Sequence, residues 1–144
     1  LTLNSIYAIR DQWGIRPLVL GKINSTGYIV ASESSAIESI GGKIIRDIKP
    51  GEFVEISAQG IKSLHQIKNR NGGFCIFEYV YFSRPDSIIN NHLVYSTRIN
   101  AGKNLAKEHP IKADYVINVP DSGTAAALGY SLQSKILRGC LRLL

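Results

Sequence analysis

The sequence predicts a mixed fold: an α+β part built of layered antiparallel strands, then an α/β part with alternating strands and helices. Three observations predict it. Up to about residue 65, short apolar runs alternate with turn signals. A polar, basic, Gly-ended stretch from Gln66 to Gly73 then interrupts the pattern and reads as a domain boundary. Beyond it the apolar spacing becomes helical, with a strand before each helical stretch.

Each element has a local reason. Ile6 to Ile9 is an apolar strand. Arg10 to Gly14 follows as a turn, because Asp11 can accept forward backbone N–H groups and Gly14 tolerates φ > 0. Pro17 to Leu20 and Tyr28 to Ala31 are strands, with turns expected at Gly21 and at Asn24 to Gly27. Ser35-Ala-Ile-Glu38 has capping-box spacing for a short helix, which Gly41-Gly42 can close. Lys43 to Ile48 and Glu52 to Ile56 read as a hairpin across Lys49-Pro50-Gly51-Glu52, a type II turn sequence.

After the boundary, Phe74 to Phe82 reads as one continuous aromatic and β-branched strand. Ser83 to Asn91 is loop, with a turn at Pro85-Asp86. Leu93, Tyr95, Ile99, Gly102, Leu105 and Ala106 share a helical face, so a helix is expected near 91–108. Asn90 or Asn91 would cap it, and Pro110 lies beyond its end. Strand 115–119 and helix 124–132 complete the alternation.

Composition narrows the function classes. The 144 residues are 44% hydrophobic and 19% charged, as in a folded globular protein. There is no apolar run of about 18 residues to span a membrane, and no signal-peptide pattern. Two cysteines argue against a disulfide scaffold and for a reducing, cytoplasmic setting. The chain has no methionine and opens at Leu1 in an alternating apolar run, which reads as a piece of something longer. The net charge of +6 is spread evenly, with three excess cations in 1–71 and three in 72–144. Nucleic-acid binders concentrate charge on one face, so no nucleic-acid partner is expected.

The most informative stretch is Asp114 to Tyr130. Tyr115 to Val119 is apolar and β-rich, and Pro120 ends it. Asp121 and Ser122 suit an N-cap, and Gly123 allows close backbone approach. The small residues from Thr124 to Leu128 propagate a helix. Its N–H groups and dipole would form an anion site. An ordinary capped turn explains the same residues. No Gly-Lys-Ser/Thr follows, so this is no Walker loop.

Other candidates have simpler readings. Glu78, inside an apolar run, must be paired, exposed at a sheet edge or functional, and a pair with Arg84 or Arg98 is the simplest of these. His65, His92 and His109 stand apart, without metal-ligand spacing. Arg10, Asp11 and Glu33 read as polar groups satisfied at turns.

Three stretches carry a resemblance. They are Arg10-Asp-Gln-Trp-Gly-Ile-Arg-Pro-Leu-Val-Leu-Gly21 with Ala31-Ser-Glu33, Cys75-Ile-Phe-Glu-Tyr-Val-Tyr-Phe-Ser-Arg-Pro-Asp-Ser87, and the Asp121-Ser122-Gly123 loop. In this order, over about Tyr7 to Tyr130, the chain resembles amidophosphoribosyltransferase, the glutamine phosphoribosylpyrophosphate amidotransferase family. The resemblance implies that residues 1–70 are the end of an N-terminal-nucleophile glutaminase domain. Residues 71–144 would begin a phosphoribosyltransferase domain with a parallel sheet. It also implies glutamine and phosphoribosyl pyrophosphate as substrates, and 5-phosphoribosylamine as product. The complete enzyme would be a homo-oligomer.

The site residues implied are Asp121, Ser122 and Gly123 beside the ribose pyrophosphate, with Ser122 linked to magnesium. In some members the residue matching Cys75 ligates a 4Fe–4S cluster. A cluster needs four thiolates, and Cys140 lies in a tail, 135–144, that departs from the family. A buried core thiol is the alternative at Cys75. No catalytic residue is assigned. The family's N-terminal cysteine, carboxylate-binding arginine and Asn-Gly element are absent, as is its Asp-Asp strand-loop. This chain alone is therefore expected to be inactive. A non-catalytic remnant or phosphate-binding module is the other reading.

Overall fold

A computed structural model describes residues 1–67 and 72–139. The first half consists of two three-stranded antiparallel sheets. One has the order β1–β5–β6, from β1 (Ser5–Ile9), β5 (Glu52–Ser57) and β6 (Gly60–Gln66). The other has the order β3–β2–β4, from β2 (Val19–Ile23), β3 (Gly27–Ala31) and β4 (Lys43–Asp47). Alternation decides which side chains meet between the layers. Ala8, Val54 and Ile56 come from the first sheet, and Leu20 and the adjoining Ile48 from the second. Leu20, Ile48 and Val54 are fully buried, worth roughly 1.5–3 kcal/mol each.

Expected turns and caps fared differently. Asp11 accepts the N–H groups of Trp13, Gly14 and Ile15, and Gly14 takes φ +70°. The Lys49–Glu52 turn is also present. Glu52 N–H reaches Lys49 O at 3.0 Å, and Gly51 has φ +71°. It does not join a hairpin, however: β4 pairs with β2, and β5 with β1 and β6, so the turn carries the chain between layers. A turn sequence fixes a reversal but not which strands pair.

Gly21 is no turn either. It lies within β2, where a Cβ would come 2.6 Å from Ile37 Cγ2. It makes room for α1 (Ser34–Ser39), whose Ile37 is fully buried. The capping box also fails. The N-cap of α1 is Glu33, with no side-chain cap, because Glu33, Ser34 and Ser35 bond across to the second half instead. Gly41 and Gly42 do close α1 through Glu38 O and Ile37 O.

The largest departure is Phe74 to Phe82. The segment is not a strand. Glu78–Phe82 form one wide helical turn, with Ser83 N–H reaching Glu78 O at 3.2 Å. Spacing cannot separate a buried strand from a helical turn in so short an apolar run. Tertiary partners decide it. The turn stacks Phe77 on Phe82 at 5.9 Å and places Glu78 inward, against the opposite half.

Asn90 and Asn91, with φ +48° and +64°, make the tight turn between β7 (Ile88–Ile89) and β8 (His92–Leu93) rather than a helix cap. Helix α2 (Val94–Glu108) begins directly after. Strand β9 is short (Tyr115–Val116), and α3 (Gly123–Ser134) returns the chain to β10 (Leu137–Arg138), which pairs parallel to β9. Cys140 and the tail 140–144 lie outside the described residues, as does the 68–71 part of the expected boundary. Among the described residues, no helix is long and apolar enough to cross a membrane.

Candidate functional site

The loop from Ile117 to Ser122 leaves β9 and enters α3. Asn118 braces it, its Nδ2 donating to Thr124 Oγ1 at 2.8 Å. Thr124 N–H is held by Asp121 O at 3.1 Å, and the Pro120–Asp121 peptide is cis. Ser122 already has helical torsions, φ −61° and ψ −33°, and makes no capping bond. The expected N-cap role is therefore not taken, since a cap needs an extended backbone to turn its oxygen back onto the helix. Ser122 instead lines two adjoining clefts.

One cleft, about 250 Å³, is walled by Ile76, by Tyr79 and Val80 of the wide turn, by Thr97 and Ala101 of α2, and by Gly123. The other, about 350 Å³, is walled by Tyr81, Arg84, Arg98 and Asp121. The first is mostly apolar, and Arg98 borders both; the second is also lined by Arg84, which is paired with Asp86, and by Asp121. A Cβ on Gly123 would meet nothing within 4 Å, so its backbone faces open space.

Helix α3 stands where it does because two glycines let α2 approach. A Cβ on Gly102 would lie 1.9 Å from Ala126 O, and one on Gly129 2.0 Å from Ile99 O. Arg98 is buried between the clefts and the wide turn. It donates from Nε to Tyr79 O and from Nη2 to Ser83 O, the latter at 2.8 Å. Burial pushes its guanidinium below the usual range, against a smaller opposing pull from Glu33. Burial also raises the Tyr79 phenol, which donates to Ile89 O at 2.8 Å.

The other candidates are placed as follows. Glu78 is paired, but with Arg16, whose Nε lies 2.9 Å from Oε1; Ser83 Oγ donates to Oε2 at 2.7 Å. Neither expected partner reaches it: Arg84 binds Asp86, and Arg98 binds the two carbonyls. Cys75 is half-buried before the wide turn, its N–H on Ile15 O at 3.2 Å. It is the one free cysteine among the described residues. Arg10 donates to Arg16 O, Ile48 O and Gly14 O, a structural role. His65 and His92 lie in strands, and His109 ends α2. Among the described residues no three His, Cys, Asp or Glu gather as a metal site.

Sequence reasoning missed Arg98 as a wall of the clefts and Asn118 as the brace. The available signal for Arg98 was a lone arginine on the apolar face of α2, four residues after Val94.

No family model matches the chain. Similar curated proteins do. An amidophosphoribosyltransferase of Mycobacterium tuberculosis is 46% identical over 136 residues, covering 94% of this chain and 25% of that protein. The Mus musculus amidophosphoribosyltransferase is 46% identical, covering 88% of this chain and 28% of its own length. Among solved structures, the glutamine phosphoribosylpyrophosphate amidotransferase of B. subtilis, complexed with ADP and GMP, superposes with a TM-score of 0.93 at 40% identity. That match covers 97% of this chain and 30% of the other. The chain thus spans about a quarter of the length of the curated relatives it matches. By sequence and by its mixed α/β fold, it belongs to the amidophosphoribosyltransferase family.

Proposed function

We propose that this chain is a segment of an enzyme that transfers glutamine-derived ammonia to phosphoribosyl pyrophosphate. The product would be 5-phosphoribosylamine, for purine synthesis. In this reading residues 1–70 end the glutaminase domain, and residues 71–144 begin the phosphoribosyltransferase domain. The observation that carries it is Ser122, which lines two clefts at the start of α3 and makes no side-chain capping bond.

The Asp121–Gly123 loop would hold the pyrophosphate side of the substrate. The positive end of the α3 dipole favours an anion there. Arg84 and Arg98 line the second cleft, where Asp86 offsets the charge of Arg84. Ser122 would offer a hydroxyl oxygen to magnesium, which commonly takes one or two protein oxygens beside water and phosphate. When bound, magnesium would neutralise the charge on the pyrophosphate. Cys75 is the one free thiol among the described residues, so any 4Fe–4S cluster on it would take its other thiolates from elsewhere in the full-length protein; a core thiol is the alternative.

The test uses the whole polypeptide carrying this segment. Ser122→Ala should reduce magnesium-dependent phosphoribosyl transfer more than glutamine hydrolysis, because only the transferase half uses this loop. Equal losses in both half-reactions would overturn the assignment. The 144-residue chain alone should release no glutamate from glutamine, since it holds no N-terminal cysteine nucleophile.

A further inference from the structure

We propose that Glu33, on the β-layered half, is a positioning residue for the Ser122 clefts on the other half. The proposal rests on those clefts being the site. Glu33 stands at the N-cap position of α1, yet its carboxylate crosses to the loop after the wide turn. Its Oε2 accepts Arg84 N–H and Ser87 Oγ–H, each at 2.8 Å. Ser87 Oγ also lies 2.8 Å from Ser35 Oγ. With one proton to give, Ser87 donates to the carboxylate and accepts from Ser35. Ile88 N–H completes the seam on Ser34 Oγ at 2.7 Å. Ser34, Ser35 and Ser87 are buried, so water cannot replace these bonds cheaply.

The same loop sets the start of α2. That helix has no side-chain cap; Val94 N–H bonds Ser87 O at 3.0 Å, and Tyr95 N–H bonds Pro85 O at 2.9 Å. One turn on, Arg98 is fixed to Tyr79 O and Ser83 O. Helix α2 then meets α3 with backbone-to-backbone closeness at Gly102 and Gly129, and α3 begins at the Ser122 loop. A shift of the seam must pass along this path, since neither glycine contact leaves room to slide. Glu33 touches no cleft itself; it acts through the loop.

The experiment is amide hydrogen exchange on the 144-residue chain, read on peptides covering 94–99 and 121–127, with 52–57 as reference. Glu33→Ala should speed exchange about tenfold at both, the scale of a lost charged hydrogen bond, and leave 52–57 unchanged. Glu33→Gln keeps an acceptor oxygen and should restore near-native exchange. Three results would overturn the proposal: faster exchange confined to 84–88, a rise that includes 52–57, or no rescue by Gln. Magnesium pyrophosphate titrated into the unsubstituted chain tests the site reading separately. Failure to protect 121–127 counts against that reading while the comparison among variants still decides the role of Glu33.

Discussion

Arg16 Nε lies 2.9 Å from Glu78 Oε1, a contact that ties the β layers to the wide helical turn. The two ends differ: the Glu78 side chain is 3% exposed and that of Arg16 60%. The guanidinium also lies 4.8 Å from the centre of the Phe82 ring. Arg16→Ala strands a buried carboxylate with Ser83 as its only strong donor. Discounted for the exposure of Arg16, the loss should be about 1–2 kcal/mol. Glu78→Gln removes the charge and leaves Arg16 in water, and should cost less. Urea midpoints of the two variants check the order.

Gly102→Ala and Gly129→Ala should each destabilise by about 3 kcal/mol or more, because the added carbon meets backbone rather than a movable side chain. Gly123→Ala adds its carbon to open space and should stay within about 0.5 kcal/mol of the original. Thermal melts followed by helical circular dichroism separate the three. If Gly123→Ala also weakens pyrophosphate binding, its role is ligand approach and not folding.

Glu52 supplies the pH dependence. Burial pushes its carboxyl up, but two bonds from Arg46, the Lys49 N–H and the Ser63 hydroxyl outweigh burial and hold it at about 2. The folded value is depressed below the usual 4.5, so the stabilisation is fully present above pH 4.5. It is lost as pH falls from there towards 2. With Arg46 about one-third exposed, the loss should be roughly 1–2 kcal/mol. Urea unfolding at pH 6 and pH 3 should show it, and Glu52→Gln should flatten that slope.

Arg10→Lys should cost about 2–3 kcal/mol despite keeping the charge. The Arg10 fork reaches three carbonyls, on Arg16, Ile48 and Gly14, at 2.7–2.9 Å. An ammonium cannot span all three. Chemical denaturation of the variant measures the loss.

What could be read from the sequence was what neighbours along the chain decide. The Asp11 turn, the Lys49–Glu52 turn, the Gly41-Gly42 closure and helix α2 all rest on local chemistry. The misreadings came where a distant segment decides. Gly21 reads as a turn residue until Ile37 is seen against it. Ser35 reads as a cap until Ser87 claims its hydroxyl. Glu78 gave a pairing requirement without a partner, because Arg16 lies 62 residues earlier, on another layer. At the candidate site the loop was legible from Asp121-Ser122-Gly123. The clefts were not, since their walls come from the wide turn and α2.

The seam at Glu33 has a consequence for the order of folding. Its bonds join residues 51 to 54 positions apart. The close approaches of α2 and α3 join positions 24 to 30 apart, Gly102 to Ala126 and Ile99 to Gly129. Loop-closure entropy grows only as the logarithm of length, about 0.6 kcal/mol for a doubling. The longer closure is therefore hardly dearer in chain entropy. What delays it is that its donors and acceptors are brought into line only once α1 and the wide turn have formed. The helix pair should therefore assemble first, and the seam should close last and open first.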